Sequence, residues 1–112
     1  MDINKLKEYG ANVEEGLNRC FNDKEFYLGL VNQALSDHRI LSLKELIKDK
    51  KLEEAFELAH ALKGMYGNLS ITPLYNEIAI IVEPLRRHDD IDYSEMLDKV
   101  IKEFYRFQEL NK

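Results

Sequence analysis

Apolar residues return every three or four positions along almost the whole of this chain, and no stretch of any length alternates strictly between apolar and polar side chains. That period belongs to amphipathic α-helices, so the chain is expected to be all-α. Asp2 can cap a short first helix ending near Gly10, and Asn12 a second that turns Leu17, Cys20 and Phe21 inward. Asp23 opens a longer element. Its apolar positions Phe26, Leu30, Val31 and Leu35 keep step with Ile40, Leu43, Leu46 and Ile47 across Ser36-Asp37-His38, as one kinked helix or as two. A third major helix from near Lys50 would bury Ala55, Leu58, Ala59, Leu62, Met65, Tyr66 and Leu69.

Thr72-Pro73 reads as the next helix start, with threonine at the N-cap and proline at the first helical position. Leu74, Ile78, Ile81, Val82 and Leu85 form its inward stripe, Pro84 is expected to kink it, and its end falls near His88. In the last helix Asp92 and Glu95 have capping-box spacing, Ile91 and Met96 suit a hydrophobic staple, and Leu97, Val100, Ile101, Phe104 and Phe107 point inward. Four long amphipathic segments with short connections favour an up-and-down antiparallel four-helix bundle, with the short N-terminal helices as its cap. Residues 1–112 are expected to form a single domain.

Composition removes several classes of function. Hydrophobic residues at 45% beside only two prolines and five glycines do not describe a disordered chain. The longest apolar run, Ile78 to Val82, is far too short to span a bilayer, and Met1-Asp2-Ile3-Asn4 lacks the basic and apolar regions of a secretory signal. The expected location is therefore cytoplasmic, away from membranes. Cys20 is the only cysteine, which excludes an internal disulfide and a cysteine-built metal cage. A net charge of −5 argues against nucleic acid as the main partner.

One stretch carries chemistry: Ala59-His60-Ala61-Leu62-Lys63-Gly64. Residues three and four apart are neighbours on a helix, so Lys63 and the bare Gly64 backbone flank the His60 imidazole. Successive 100° steps place His60 about 150° from the centre of the apolar stripe, on the solvent face. An isolated surface histidine is usually inert. Here Gly67 extends the cleared surface by a turn, and Phe56 stands as an exposed aromatic one turn before the ring. A mid-helix glycine costs about 1 kcal/mol relative to alanine, so two beside one histidine indicate that something approaches that ring. A phosphoryl group with its protein donor fits.

These residues resemble the histidine-containing phosphotransfer (HPt) domains of two-component phosphorelays, whose signature is His-x-x-Lys-Gly on a bundle helix. The resemblance extends to Gly67, Leu69, Leu74 and Arg86 downstream, and to Gly16-Leu17-Asn18-Arg19 and Glu25-Phe26-Tyr27 upstream. It implies that His60 is the phosphoacceptor, that Lys63 helps hold the phosphoryl oxygens, and that Gly64 leaves room for the partner. Phe56, Glu57, Gly67 and Arg86 would border the partner contact. The partners implied are response-regulator receiver domains or a hybrid histidine kinase.

The chain departs from the family at two places. Many members have glycine where this sequence has Ser70, so the turn after the active helix is expected to close differently. Many present a carboxylate or amide, able to orient the imidazole, where it has Val82. Glu83 is adjacent but about 100° away around the helix. Either another acceptor or water then holds the Nδ1 proton.

No cluster of carboxylates surrounds His60, so the Mg²⁺ that assists transfer is expected to come with the receiver, and this chain is expected to need no cofactor of its own. Without a Gly-rich phosphate loop it is not expected to be an independent kinase. Glu57-x-x-His60 has the spacing of a di-iron half-site, but neither His38 nor His88 has a glutamate three residues before it to complete one. No hydrolase arrangement of nucleophile beside base is legible either. The alternative is an adaptor that keeps the HPt bundle and binds a receiver or kinase without exchanging phosphate. Val82 is its main support, and the joint presence of His60, Lys63 and Gly64 weighs against it.

Overall fold

The computed structural model describes residues 1–111, and every regular element among them is helical. The elements are α1 (Ile3–Glu8), α2 (Val13–Arg19), α3 (Lys24–Ser36), α4 (Leu43–Lys48), α5 (Leu52–Asn68), α6 (Thr72–Arg86) and α7 (Ser94–Gln108). Short 3₁₀ segments occupy His38–Ser42 and Glu109–Asn111. Three of the expected caps form: the side chains of Asp2, Asn12 and Asp23 accept hydrogen bonds from the backbone N–H groups of Asn4, Glu15 and Phe26. Each satisfies a donor that the helix leaves unpaired, worth about 1 kcal/mol.

α6 is the hub, packed between two other helices by a deeply buried inward face. Leu74, Ile78, Ile81, Val82 and Leu85 are all completely buried, each contributing roughly 1.5–3 kcal/mol relative to exposure. One flank of α6 packs on α5, reached through the short turn 69–71, and the other on α7. α3 closes against α7, and α4 covers α5. The N-terminal helices are held by Arg106 of α7, whose Nη2 donates to the Tyr9 carbonyl at 2.6 Å while its guanidinium lies over the Tyr9 ring. Gln108 ties the end of α7 to α3 by donating to the Leu35 carbonyl. No helix among the described residues is long and apolar enough to cross a membrane.

Several expectations are corrected. The segment around Ser36-Asp37-His38 is a break between two helices, because the extended Asp37 (ψ 108°) ends α3 and its carboxylate caps the next turn. That carboxylate accepts from the Arg39 backbone and guanidinium, and the guanidinium hydrogen bond holds its pKa below the usual carboxylate value. Phe21 does not turn inward: it is 87% exposed at a positive φ of 58°, in the turn that joins α2 to α3. Phe26 is 47% exposed, since the inward face of the first turn of α3 is taken by the fully buried Tyr27, about 100° away around the helix. Leu17, Leu30, Leu46, Ile47, Leu58, Met65 and Ile101 are only half-buried, at the margin of the core.

Two helix starts also differ from expectation. α6 begins one residue earlier than expected, with Ile71 at the N-cap and Thr72 and Pro73 inside the first turn. The capping box of α7 does not form. Asp92 accepts from the Ser94 N–H at 2.9 Å, Tyr93 takes the N-cap, and Glu95 reaches along the helix to Lys99 at 3.5 Å. Ile91 is correspondingly 48% exposed. α6 itself continues through Pro84 to Arg86.

Candidate functional site

Burial of Ala55, Ala59, Leu62 and Tyr66 fixes the rotation of α5 and turns His60 to solvent. The His60 imidazole makes no hydrogen bond among the described residues; its contact is a ring. Phe56 lies one turn before it, with centroids 5.4 Å apart and planes 21° from parallel. Phe56 is not the freely exposed aromatic that the sequence implied. It is half-buried, with the Arg86 guanidinium of α6 4.9 Å from its ring centre. Arg86 in turn pairs with Glu83 at 3.4 Å, so a four-residue stack runs from α6 onto the histidine.

On the other side of His60 the helix is bare. A Cβ placed on Gly64 would meet nothing within 4 Å, as steric access requires. Lys63 is half-buried and makes no ion pair among the described residues; its Nζ lies 5.8 Å from the centre of the Tyr75 ring. Its charge is therefore uncommitted to any carboxylate one turn from the imidazole. Gly67 does not extend the cleared surface. A Cβ there would stand 3.0 Å from the Tyr75 ring, so this glycine lets α6 seat Tyr75 close to α5. Glu57 is exposed beside the stack.

His60, Lys63, Gly64, Gly67 and Tyr75 form one wall of a groove of about 590 Å³. α2 supplies the opposite wall through Arg19, whose Nη1 donates to the Gly67 carbonyl at 2.9 Å and to Ser70 Oγ at 2.8 Å. Arg19 Nη2 also pairs with Glu15 at 2.8 Å, and Ser70 Oγ donates to that same carboxylate at 3.0 Å. The last carbonyls of a helix lack intrahelical partners and carry partial negative charge, so a guanidinium there both caps α5 and complements its dipole. Tyr27 repeats the device on α3, its hydroxyl donating to the Leu69 carbonyl at 2.8 Å. Burial, with Cys20 nearby, pushes the Tyr27 hydroxyl up to about 12. A Cβ on Gly16 would lie only 2.4 Å from the Tyr27 ring, which is why glycine precedes Arg19 by three residues in α2.

The turn after α5 closes on Ser70 at a φ of 55°, with its N–H donating to the Gly67 carbonyl and that of Ile71 to the Tyr66 carbonyl. This left-handed position is ordinarily suited to glycine. Here Arg19 and Glu15 hold the serine side chain in place. Val82 is completely buried and offers the imidazole no polar partner; the neighbouring Glu83 is exposed and pairs with Arg86. His38 stands elsewhere, edge-on to Phe104, and His88 sits in the turn after α6.

The sequence indicated the α5 wall and missed the roles of Arg19, Glu15, Ser70 and Tyr75. The Glu15–Arg19 spacing is an i,i+4 pair, a signal for a local ion pair only. Among the described residues no group of histidine, cysteine, aspartate and glutamate is arranged to hold a metal ion. In comparisons with known proteins, no family model, curated protein or solved structure matches this chain.

Proposed function

We propose that the chain is a phosphorelay carrier of the histidine-containing phosphotransfer kind, taking a phosphoryl group from a receiver-domain aspartate, or from a kinase, onto His60 and passing it to another receiver. The observation that carries this reading is an exposed imidazole with an uncommitted cation three residues on and open space four residues on. In this reading α3, α5, α6 and α7 are the members of an up-and-down antiparallel bundle, and α1 and α2 are its cap.

Phosphoryl transfer depends chiefly on in-line positioning and charge stabilisation. The lone pair of one imidazole nitrogen, Nε2 in this reading, attacks phosphorus of the acyl phosphate. The N–P bond forms as the bond from phosphorus to the carboxylate oxygen breaks, and the partner's aspartate leaves as a free carboxylate. The ring carries positive charge until its Nδ1 proton passes to water. Lys63 stands where it can balance charge on the phosphoryl oxygens, and the Mg²⁺ belongs to the partner's acidic pocket. The chain has no nucleotide-binding loop and acts as a carrier without kinase activity of its own.

Incubation with a phosphorylated receiver domain tests this. Label on His60 should be labile to acid and stable to alkali, as expected of a phosphoramidate. His60→Gln should abolish labelling and leave helical content and Tm nearly unchanged, because the side chain is exposed and makes no hydrogen bond among the described residues. Normal labelling of that variant, or label on His38 or His88, overturns the assignment.

A further inference from the structure

We propose that Phe56 is the positioning residue of the site, holding the His60 imidazole by ring stacking where no side chain holds it by a hydrogen bond. The proposal rests on the phosphotransfer reading of His60. An exposed imidazole free to turn about its outer torsion offers its two nitrogens in interchangeable directions, and in-line attack requires one of them to be held. Side chains on a helix lean toward its N-terminus, so His60 reaches back over the residue four positions earlier, and that residue is Phe56. The near-parallel planes and the 5.4 Å separation are those of an offset stack.

Phe56 can do this because it is itself held. It is half-buried against the core, and Arg86 covers it from α6, with Glu83 keeping the guanidinium in place. Stacking covers one side of the imidazole and leaves the Gly64 side clear. The same stack links the orientation of the reactive ring to the packing of α6 on α5. Phe56 accordingly acts on transfer through His60, and partner affinity does not depend on it.

The test compares Phe56→Leu with Phe56→Tyr and Arg86→Ala. In proton NMR without any phosphodonor, the aromatic ring current should displace the His60 ring protons upfield in the parent protein and in Phe56→Tyr, and the displacement should vanish in Phe56→Leu. An aromatic pair of this kind corresponds to a change of roughly threefold to tenfold, so single-turnover transfer at saturating receiver should slow by that factor in Phe56→Leu. Half-saturation should stay within about twofold, and Phe56→Tyr should restore the rate. Arg86→Ala, which loosens Phe56 without removing its ring, should give a smaller loss of the same kind.

Transfer by Phe56→Leu at the parental rate overturns the proposal. So does a defect confined to half-saturation, which would make Phe56 a docking contact, or failure of Phe56→Tyr to restore transfer. Failure of the unsubstituted protein to accept phosphate overturns the phosphotransfer reading itself. The two failures are distinguishable because the ring-proton displacement is read without a phosphodonor.

Discussion

Replacing Gly64 should make the protein more stable and less active, and the size of the first effect follows from the structure. Glycine in a helix interior is about 0.8–1.0 kcal/mol less favourable than alanine because it loses more backbone freedom on folding. A Cβ at Gly64 meets nothing within 4 Å, so neither strain nor new packing alters that difference. Gly64→Ala should therefore recover nearly all of it, raising Tm by about 4 °C in a chain of this size. Gly64→Gln should gain somewhat less, roughly 0.5 kcal/mol, because glutamine is a slightly weaker helix former than alanine.

The glutamine side chain occupies the space beside His60, so transfer from a phosphorylated receiver should fall by at least about tenfold, equivalent to 1.4 kcal/mol in the barrier. Gly67→Ala is the internal control. Its Cβ would press on the Tyr75 ring at 3.0 Å, and the cost of displacing that ring should cancel the helix gain. Thermal unfolding followed by circular dichroism, with stopped-flow transfer on the same preparations, measures both effects. A Gly64→Gln protein that exchanges phosphate as fast as the parent would refute the steric role. One that melts below the parent would refute the open face.

Two further outcomes are expected. On the phosphotransfer reading, Lys63→Ala removes the cation one helical turn from His60 and should slow transfer by about tenfold with little change in half-saturation, which single-turnover kinetics would show. Tyr27 supplies a pH dependence: with its hydroxyl pushed from 10 up to about 12 by burial, its contribution to stability is complete below pH 10 and is lost as pH rises toward 12, because the unfolded chain ionises first. Tyr27→Phe should lose roughly 0.5–1.5 kcal/mol at neutral pH with the hydrogen bond to Leu69, yet its stability should decline less steeply between pH 10 and 12 in urea titrations. Equal slopes for the two proteins would refute the assignment.

What the sequence by itself determined is what depends on neighbours a few residues away. The 3.6-residue period sets which face of α5 is buried, and with it the outward direction of His60 and the nearness of Lys63 and Gly64. The caps at Asp2, Asn12 and Asp23 are equally local, each side chain reaching an N–H two or three residues on. Errors arose where an apolar residue stands off the buried face: Phe21 in the turn after α2 and Phe26 beside the buried Tyr27 carry the apolar signal and find water.

Tertiary structure decided the rest of the site. Arg19 meets Gly67 and Ser70 across 48 and 51 residues, Tyr27 reaches Leu69 across 42, and neither pairing has a periodic signature. The two helical glycines of α5 look alike in sequence. One faces open space and the other supports Tyr75, and only the seating of α6 on α5 separates them. The same seating turns Val82 into the core and brings Arg86 over Phe56. A single helix specifies its own faces through its backbone geometry, whereas the meeting of two faces depends on the burial of every residue between them.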